Sequence, residues 1–204
     1  MKIGIIGTGQ VGTALARGFS RIGEEVRLGS RNPSAVYPPP GVNVVSQREA
    51  VDWADMVVLA VKYVVVKEVI QSIGPGAFKG KIVLDVTNAL TKERSWAVGF
   101  STSVSEEIAG LLPGTRIVKA FNTVYAMWHD KGKICDEQLS LFVAGDDAEA
   151  KQTVMRLGAQ IGFGPVDCGP QSSARYLEAM AYQLIFLDDR LHMGRAIGYR
   201  LVKG

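Results

Sequence analysis

The sequence predicts an α/β fold, a doubly wound and mostly parallel sheet followed by C-terminal helices. Three observations carry this. Short β-branched runs alternate with stretches of helical period over most of the 204 residues, which is the pattern of βαβ units. A glycine-rich turn joins the first such run to the first helical stretch. From Gln171 to Lys203 the pattern is helical alone. Together they describe a Rossmann-type architecture.

Lys2–Ile6 reads as the first strand. Val11, Leu15, Phe19 and Ile22 then recur at helical spacing, and Gly23 supplies a stop. Glu25–Leu28 is the second strand, and Pro33–Gly41, with three consecutive prolines, is a loop. Val42–Val45 and Met56–Val61 are strands three and four, with room only for a short helix at Gln47–Trp53. Val66, Val69, Ile70 and Ile73 mark the next helix. Lys81–Val86, Arg116–Phe121 and Leu139–Val143 are further strands. Asp146 with Glu149 caps a helix running to about Ala159, and Phe163–Asp167 is a last short strand. In the final segment Leu177, Ala181, Leu184 and Leu187 form a broad apolar face.

Composition narrows the function classes. A net charge of +3 with scattered Lys and Arg gives no basic stripe for nucleic acid. Cys135 and Cys168 lie far apart and outside any CxxC spacing, so both are expected as free thiols in a reducing compartment. The apolar run Tyr176–Leu187 contains Glu178 and Gln183 and falls short of the ~20 residues of a membrane span. The start of the chain lacks a signal-like core. A cytoplasmic protein without a membrane segment is expected. No His, Cys and carboxylate cluster has metal-ligand spacing.

The turn Gly7-Thr8-Gly9-Gln10-Val11-Gly12 stands where a dinucleotide fingerprint must stand, strand before and helix after. Gly7 permits the tight turn, Gly9 lets a pyrophosphate approach the backbone, and Gly12 lets helix and strand pack closely. At the end of the second strand an NAD site usually carries Asp or Glu for the ribose 2′-hydroxyl. Here the residues are Ser30, Arg31 and Asn32. Without a carboxylate nothing repels a 2′-phosphate, and the Arg31 guanidinium is suited to pair with it. NADP(H) is therefore expected rather than NAD(H).

Ligands of open parallel sheets lie over the carboxyl ends of the strands. Those ends carry Ala60-Val61-Lys62-Tyr63, Asp85-Val86-Thr87-Asn88 and Lys119-Ala120-Phe121-Asn122-Thr123. Ala60, Val61, Lys62, Thr87, Asn88 and Asn122 are the candidates for surrounding ribose and nicotinamide. No acid–base constellation is evident, and no catalytic residue is assigned; His129 and His192 have no clear partner in sequence. Carbonyl reduction needs a placed proton donor, whereas hydride transfer to a flavin-like ring needs little beyond two rings held at the right distance.

These motifs resemble the coenzyme F420-dependent NADP reductases and the related cytosolic domains of STEAP metalloreductases. The resemblance covers nearly the whole chain. It rests on Gly7–Gly12, Gly29-Ser30-Arg31-Asn32-Pro33, Asp85–Asn88, Lys119–Thr123, Ala144-Gly145-Asp146-Asp147 and Asp167-Cys168-Gly169-Pro170. It implies hydride exchange between NADPH and a flavin or deazaflavin, with Ser30 and Arg31 at the 2′-phosphate. It also implies C-terminal helices that shape the second ring's pocket and a homodimer. The corresponding division is a dinucleotide-binding domain at 1–168 and a helical segment at 169–204. FAD, FMN, F420 and a small organic acceptor all stay open. Two alternatives stand beside this reading. One is a reductase of a carbonyl or imine, in which Lys119 or Tyr125 would have to donate the proton. The other is an NADP(H)-binding protein without turnover.

Overall fold

The sheet is wound from the middle outwards. In a computed structural model describing residues 1–98 and 100–204, six parallel strands stand in the order β3-β2-β1-β4-β5-β6. They are β1 (Lys2–Ile6), β2 (Glu25–Ser30), β3 (Asn43–Ser46), β4 (Met56–Leu59), β5 (Ile82–Asp85) and β6 (Arg116–Lys119). The connecting helices are α1 (Gln10–Arg21), α2 (Gln47–Trp53), α3 (Tyr63–Ile73) and α4 (Val104–Leu111). The chain moves outward in one direction from β1 to β3 and in the other from β4 to β6. The crevice of such a sheet opens where the direction changes, at the carboxyl ends of β1 and β4.

Burial on both faces explains the apolar strands. Every residue of β4 and β5 is buried. Alternate side chains serve two cores. Ile3, Ile5, Val58 and Leu84 meet Leu15 and Phe19 of α1 on one face. Ile6, Val57, Leu59 and Val83 meet Ile70 of α3 and Ile108 of α4 on the other. Two helix starts are capped by serine: Ser46 accepts from the Glu49 amide, and Ser103 accepts from the Glu106 amide while donating to its carboxylate. The expected cap at Asp146 falls one residue late. Asp147 caps the helix through the Ala150 amide, and Asp146 accepts from the Gln171 amide instead.

Beyond β6 a short hairpin, β7 (Lys133–Ile134) and β8 (Glu137–Gln138), precedes β9 (Ser140–Val143), α5 (Ala148–Ile161) and β10 (Gly164–Asp167). The expected strands near 139–143 and 163–167 do form, as a parallel pair of their own. One antiparallel bridge, Lys119 to Ala144, fastens that pair to the end of β6. α6 (Ala174–Asp189) follows.

The expectation of C-terminal helices to Lys203 needs correction. A 3-10 turn at Gln171–Ser173 leads into a single α-helix, α6, and residues 190–204 have no regular structure. Apolar periodicity is lost after Leu191, and the backbone turns left-handed at His192 and Gly194. The tail then lies back along β9: the Ser140 amide donates to the Tyr199 carbonyl, and the Leu201 amide donates to Ser140 Oγ.

Candidate functional site

The glycines of the first turn separate into two kinds. A Cβ on Gly7, whose φ is +121°, would lie 2.2 Å from the Ala60 carbonyl oxygen. A Cβ on Gly12 would lie 2.0 Å from the Gly7 oxygen. Both positions need glycine for packing. Gly9 differs: a Cβ there meets no atom within 4 Å. Its backbone therefore borders open space at the start of α1, which has no side-chain cap and no acidic residue in its first turn. Amides without helical partners and the positive end of the helix dipole face that space. The arrangement fits a diphosphate.

Ser30, Arg31 and Asn32 stand at the carboxyl end of β2, beside the turn, since the Gly7 amide donates to Gly29 O at 3.4 Å. Ser30 Oγ accepts from the Asn32 amide at 3.1 Å and keeps its proton to give. Asn32 accepts from the Ser34 hydroxyl. Arg31 is exposed and makes no hydrogen bond or ion pair among the described residues. These three lie outside the lining of the main cleft.

That cleft has a volume of about 820 Å³. Gly9, Gln10 and Val11 border one end; Ala60 and Val61 with Asn88 and Asn122 line its floor, with the exposed Lys62 at the rim; Tyr125, Leu184 and Ile185 close the far side. Thr8 opens instead onto a second hollow along the flank of α1, shared with Thr13, Arg17 and Arg195. Asn122 is 5% exposed. Its Nδ2 donates to the Leu177 carbonyl at 2.9 Å, which fixes the amide's orientation and leaves Oδ1 buried without a partner. Thr87 contributes wall but no spare hydroxyl, because its Oγ1 and its amide both donate to Asp85 Oδ1.

Two strand-end residues grouped with the cleft by sequence point away from it. Asp85 and Lys119 are paired in register on β5 and β6, and both are fully buried. Lys119 Nζ donates to Asp85 Oδ2 at 3.0 Å, to the Thr87 carbonyl at 2.6 Å and to Glu178 Oε1 at 3.0 Å. Ser105 donates to the same Asp85 oxygen, and the Val104 amide donates to both Glu178 oxygens. Burial alone would lower the Lys119 pKa, yet the two carboxylates outweigh it and raise it. Burial raises that of Glu178 against the pull of Lys119. Glu178 and Ser105 escaped sequence reasoning. The available signal was an Asp and a Lys closing two adjacent apolar strands, a pairing that only register reveals.

Neither residue considered as a proton donor is free for that task. All three protons of the Lys119 ammonium are engaged. The Tyr125 hydroxyl donates to the Leu184 carbonyl at 2.9 Å, and burial, with Asp188 and Asp189 nearby, pushes its pKa up to about 12. His129 is buried with Nε2 at the Phe121 carbonyl, and desolvation brings its pKa down to about 4. Cys135 and Cys168 are unpaired. Among the described residues no group of His, Cys, Asp and Glu could hold a metal, and no helix is long and apolar enough to cross a membrane.

Comparison with known proteins follows the same lines. The family profile described as NADP oxidoreductase, coenzyme F420-dependent, matches residues 2–89. The F420-dependent NADP reductase of Methanothermobacter thermautotrophicus is 30% identical over 218 residues, covering 93% of this chain and 90% of that protein. This chain belongs to the family of F420-dependent NADP reductases. Another relative is rat metalloreductase STEAP3, 35% identical over 188 residues, which covers 90% of this chain. The chain spans 37% of the length of that metalloreductase. Within the family, a solved structure described as a putative F420-dependent NADP reductase from Arthrobacter sp. FB24 superposes with a TM-score of 0.89 at 28% identity, covering all of both chains. Imine reductases share the fold at 16–19% identity, as in the Bacillus cereus enzyme with a TM-score of 0.66.

Proposed function

We propose that this chain is an NADP(H)-dependent oxidoreductase that exchanges hydride between NADP(H) and a flavin or deazaflavin acceptor of the F420 type. The observation that carries the proposal is the bare start of α1 beside Gly9, where the protein leaves room that no packing demand explains. The cofactor, when bound, supplies the hydride. The chain's part is to hold and orient. Backbone amides at Gly9, Gln10 and Val11 grip the diphosphate, helped by the glycine turn and Thr8. Ser30 and Arg31 bind the 2′-phosphate, with Asn32 shaping the loop. Ala60, Val61 and Lys62 with Asn88 and Asn122 surround the ribose and nicotinamide. The α6 wall bounds the space for the second ring.

Family membership and the engagement of Lys119 and Tyr125 both favour a ring acceptor over a carbonyl or imine, which needs a proton delivered in step with hydride. Residues 1–168 would then serve as the dinucleotide-binding domain and 169–204 as the acceptor wall and subunit contact. Tyr176 and Phe186, 67% and 41% exposed on α6, favour a homodimer. Unpaired thiols suit the cytoplasm. Anaerobic mixing of NADPH with F420, FMN and FAD tests the reading. Rapid bleaching of at least one is expected. NADPH binding without oxidation by any of the three would overturn it and leave the two alternatives, a carbonyl or imine reductase and a protein without turnover.

A further inference from the structure

The buried cluster behind the cleft carries unequal charge. Lys119 contributes one positive group; Asp85 and Glu178 contribute two negative ones. Every hydrogen bond to Asp85 and Glu178 is donated to them: by Thr87, Ser105 and Lys119 for the first, by Val104 and Lys119 for the second. These bonds and the shared Lys119 ammonium favour the carboxylate form of both, against the burial that raises the Glu178 pKa. Among the described residues no second cation reaches either one. The start of α4 offsets part of the excess, because Val104 is its first residue and points its amide at Glu178. A net negative charge remains in a fully desolvated place.

That charge adjoins residues of the cleft lining. Lys119 holds the Thr87 carbonyl, and Thr87 and Asn88 form part of the cleft wall. Glu178 follows Leu177, whose carbonyl binds Asn122 of the floor. The field also reaches the cleft side chain Tyr63: burial and Glu107 raise its pKa most, and Glu178 adds to the rise. The cations nearer the ligand space, Lys62, Lys92, Arg94 and Arg195, stand at the solvent edge, and the two arginines are paired with Asp189 and Asp188. Solvent screens those far more than it screens the buried cluster.

We propose that the Glu178–Lys119–Asp85 cluster biases the bound nicotinamide toward its oxidised, cationic form and so favours hydride leaving the cofactor for the acceptor. This rests on the NADP(H) reading above. When the C4–H bond of the reduced ring breaks, hydride goes to the acceptor with both electrons, and the ring gains a unit of positive charge. A fixed negative charge in a low-dielectric wall stabilises the product ring and leaves the neutral reduced ring almost unaffected. Glu178 sets this bias without touching the reacting atoms.

The test compares calorimetric Kd values for NADPH and NADP⁺ in the wild-type protein and in Glu178→Gln. Glutamine can keep its oxygen on Lys119 and Val104 while losing the charge. The ratio Kd(NADP⁺)/Kd(NADPH) is expected to rise by of order tenfold, as for removing one charge a side chain or two away at an effective dielectric of about 20. That equals about 30 mV in the potential of the bound couple. A purely structural role would weaken both forms together, so an unmoved ratio overturns the inference. Should Glu178→Gln lose its cooperative thermal transition, Asp85→Asn removes the same charge from the other side of Lys119 and must move the ratio in the same direction. Failure of wild-type protein to bind either form would instead overturn the cofactor reading, and this inference with it.

Discussion

Replacing Gly9 by alanine separates a glycine kept for a ligand from one kept for packing. Gly9 has φ −76° and ψ −173°, which alanine adopts without strain, and its Cβ would meet nothing within 4 Å. Alanine loses some preference at a helix N-cap but lowers the entropy of the unfolded chain, so stability should stay within about 1 kcal/mol of wild type. Gly12→Ala, three residues on, drives a methyl to 2.0 Å from a backbone oxygen that cannot turn aside, and should cost about 1–3 kcal/mol or more. Binding should follow the opposite order of cause. The Gly9→Ala methyl stands where a diphosphate must approach. Loss of one charge-assisted hydrogen bond, about 1.5–3 kcal/mol, weakens NADPH by roughly tenfold to a hundredfold. Thermal unfolding and calorimetry on both variants provide the assay. A Gly9→Ala protein that melts like wild type and binds NADPH equally well would refute the argument, because the open space would then not be the diphosphate's.

Arg31→Ala should weaken NADPH by about 1.5–3 kcal/mol and leave NADH nearly unchanged; equal losses in a fluorescence titration would show that this guanidinium does not read the phosphate. Lys119→Met should destabilise by about 3–5 kcal/mol in urea unfolding, because two buried carboxylates lose their shared cation; a change under 1 kcal/mol would mean that the cluster is not charged as drawn. His129 links stability to pH. Its folded pKa, about 4, lies below the ordinary 6.5, so the unfolded chain takes up the proton first and stability is lost as pH falls from about 6.5 toward 4. Between pH 7.5 and 5 this contributes about 2 kcal/mol, measurable as the part of the pH dependence that disappears in His129→Phe.

The sheet was legible because its strands are buried on both faces and read as short apolar runs. All six appear within a residue or two of their expected ends, as do α1, α2 and the turn between β1 and α1. What local pattern could not supply was partnership at a distance. The strand at 140–143 is as apolar as the rest, that at 164–167 is the short Gly-Pro-Val-Asp, and nothing in either says that they pair with each other. α4 is eight residues long and its Glu106 and Glu107 break the apolar rhythm, so its capping serine went unread. The tail failed for a different reason: Gly194 and Gly198 outweigh a helical composition, and Gly198 is held so close to β9 that a Cβ there would meet Leu139 at 2.6 Å. In the candidate site the glycine turn and the Ser30–Asn32 segment could be named from sequence because their spacing is local. Asp85 and Lys119 looked like cleft residues for the same local reason. Their burial depends on Glu178, which arrives from a helix more than fifty residues later.

The central claim is that the open backbone at Gly9 and the Arg31 side chain together select a dinucleotide bearing a 2′-phosphate. Calorimetric titration of the folded wild-type chain with NADPH and then NADH tests it most directly. NADPH is expected to bind at least tenfold more tightly, by the worth of one charge-assisted phosphate contact. Equal affinity for the two, or no heat with either, would contradict it.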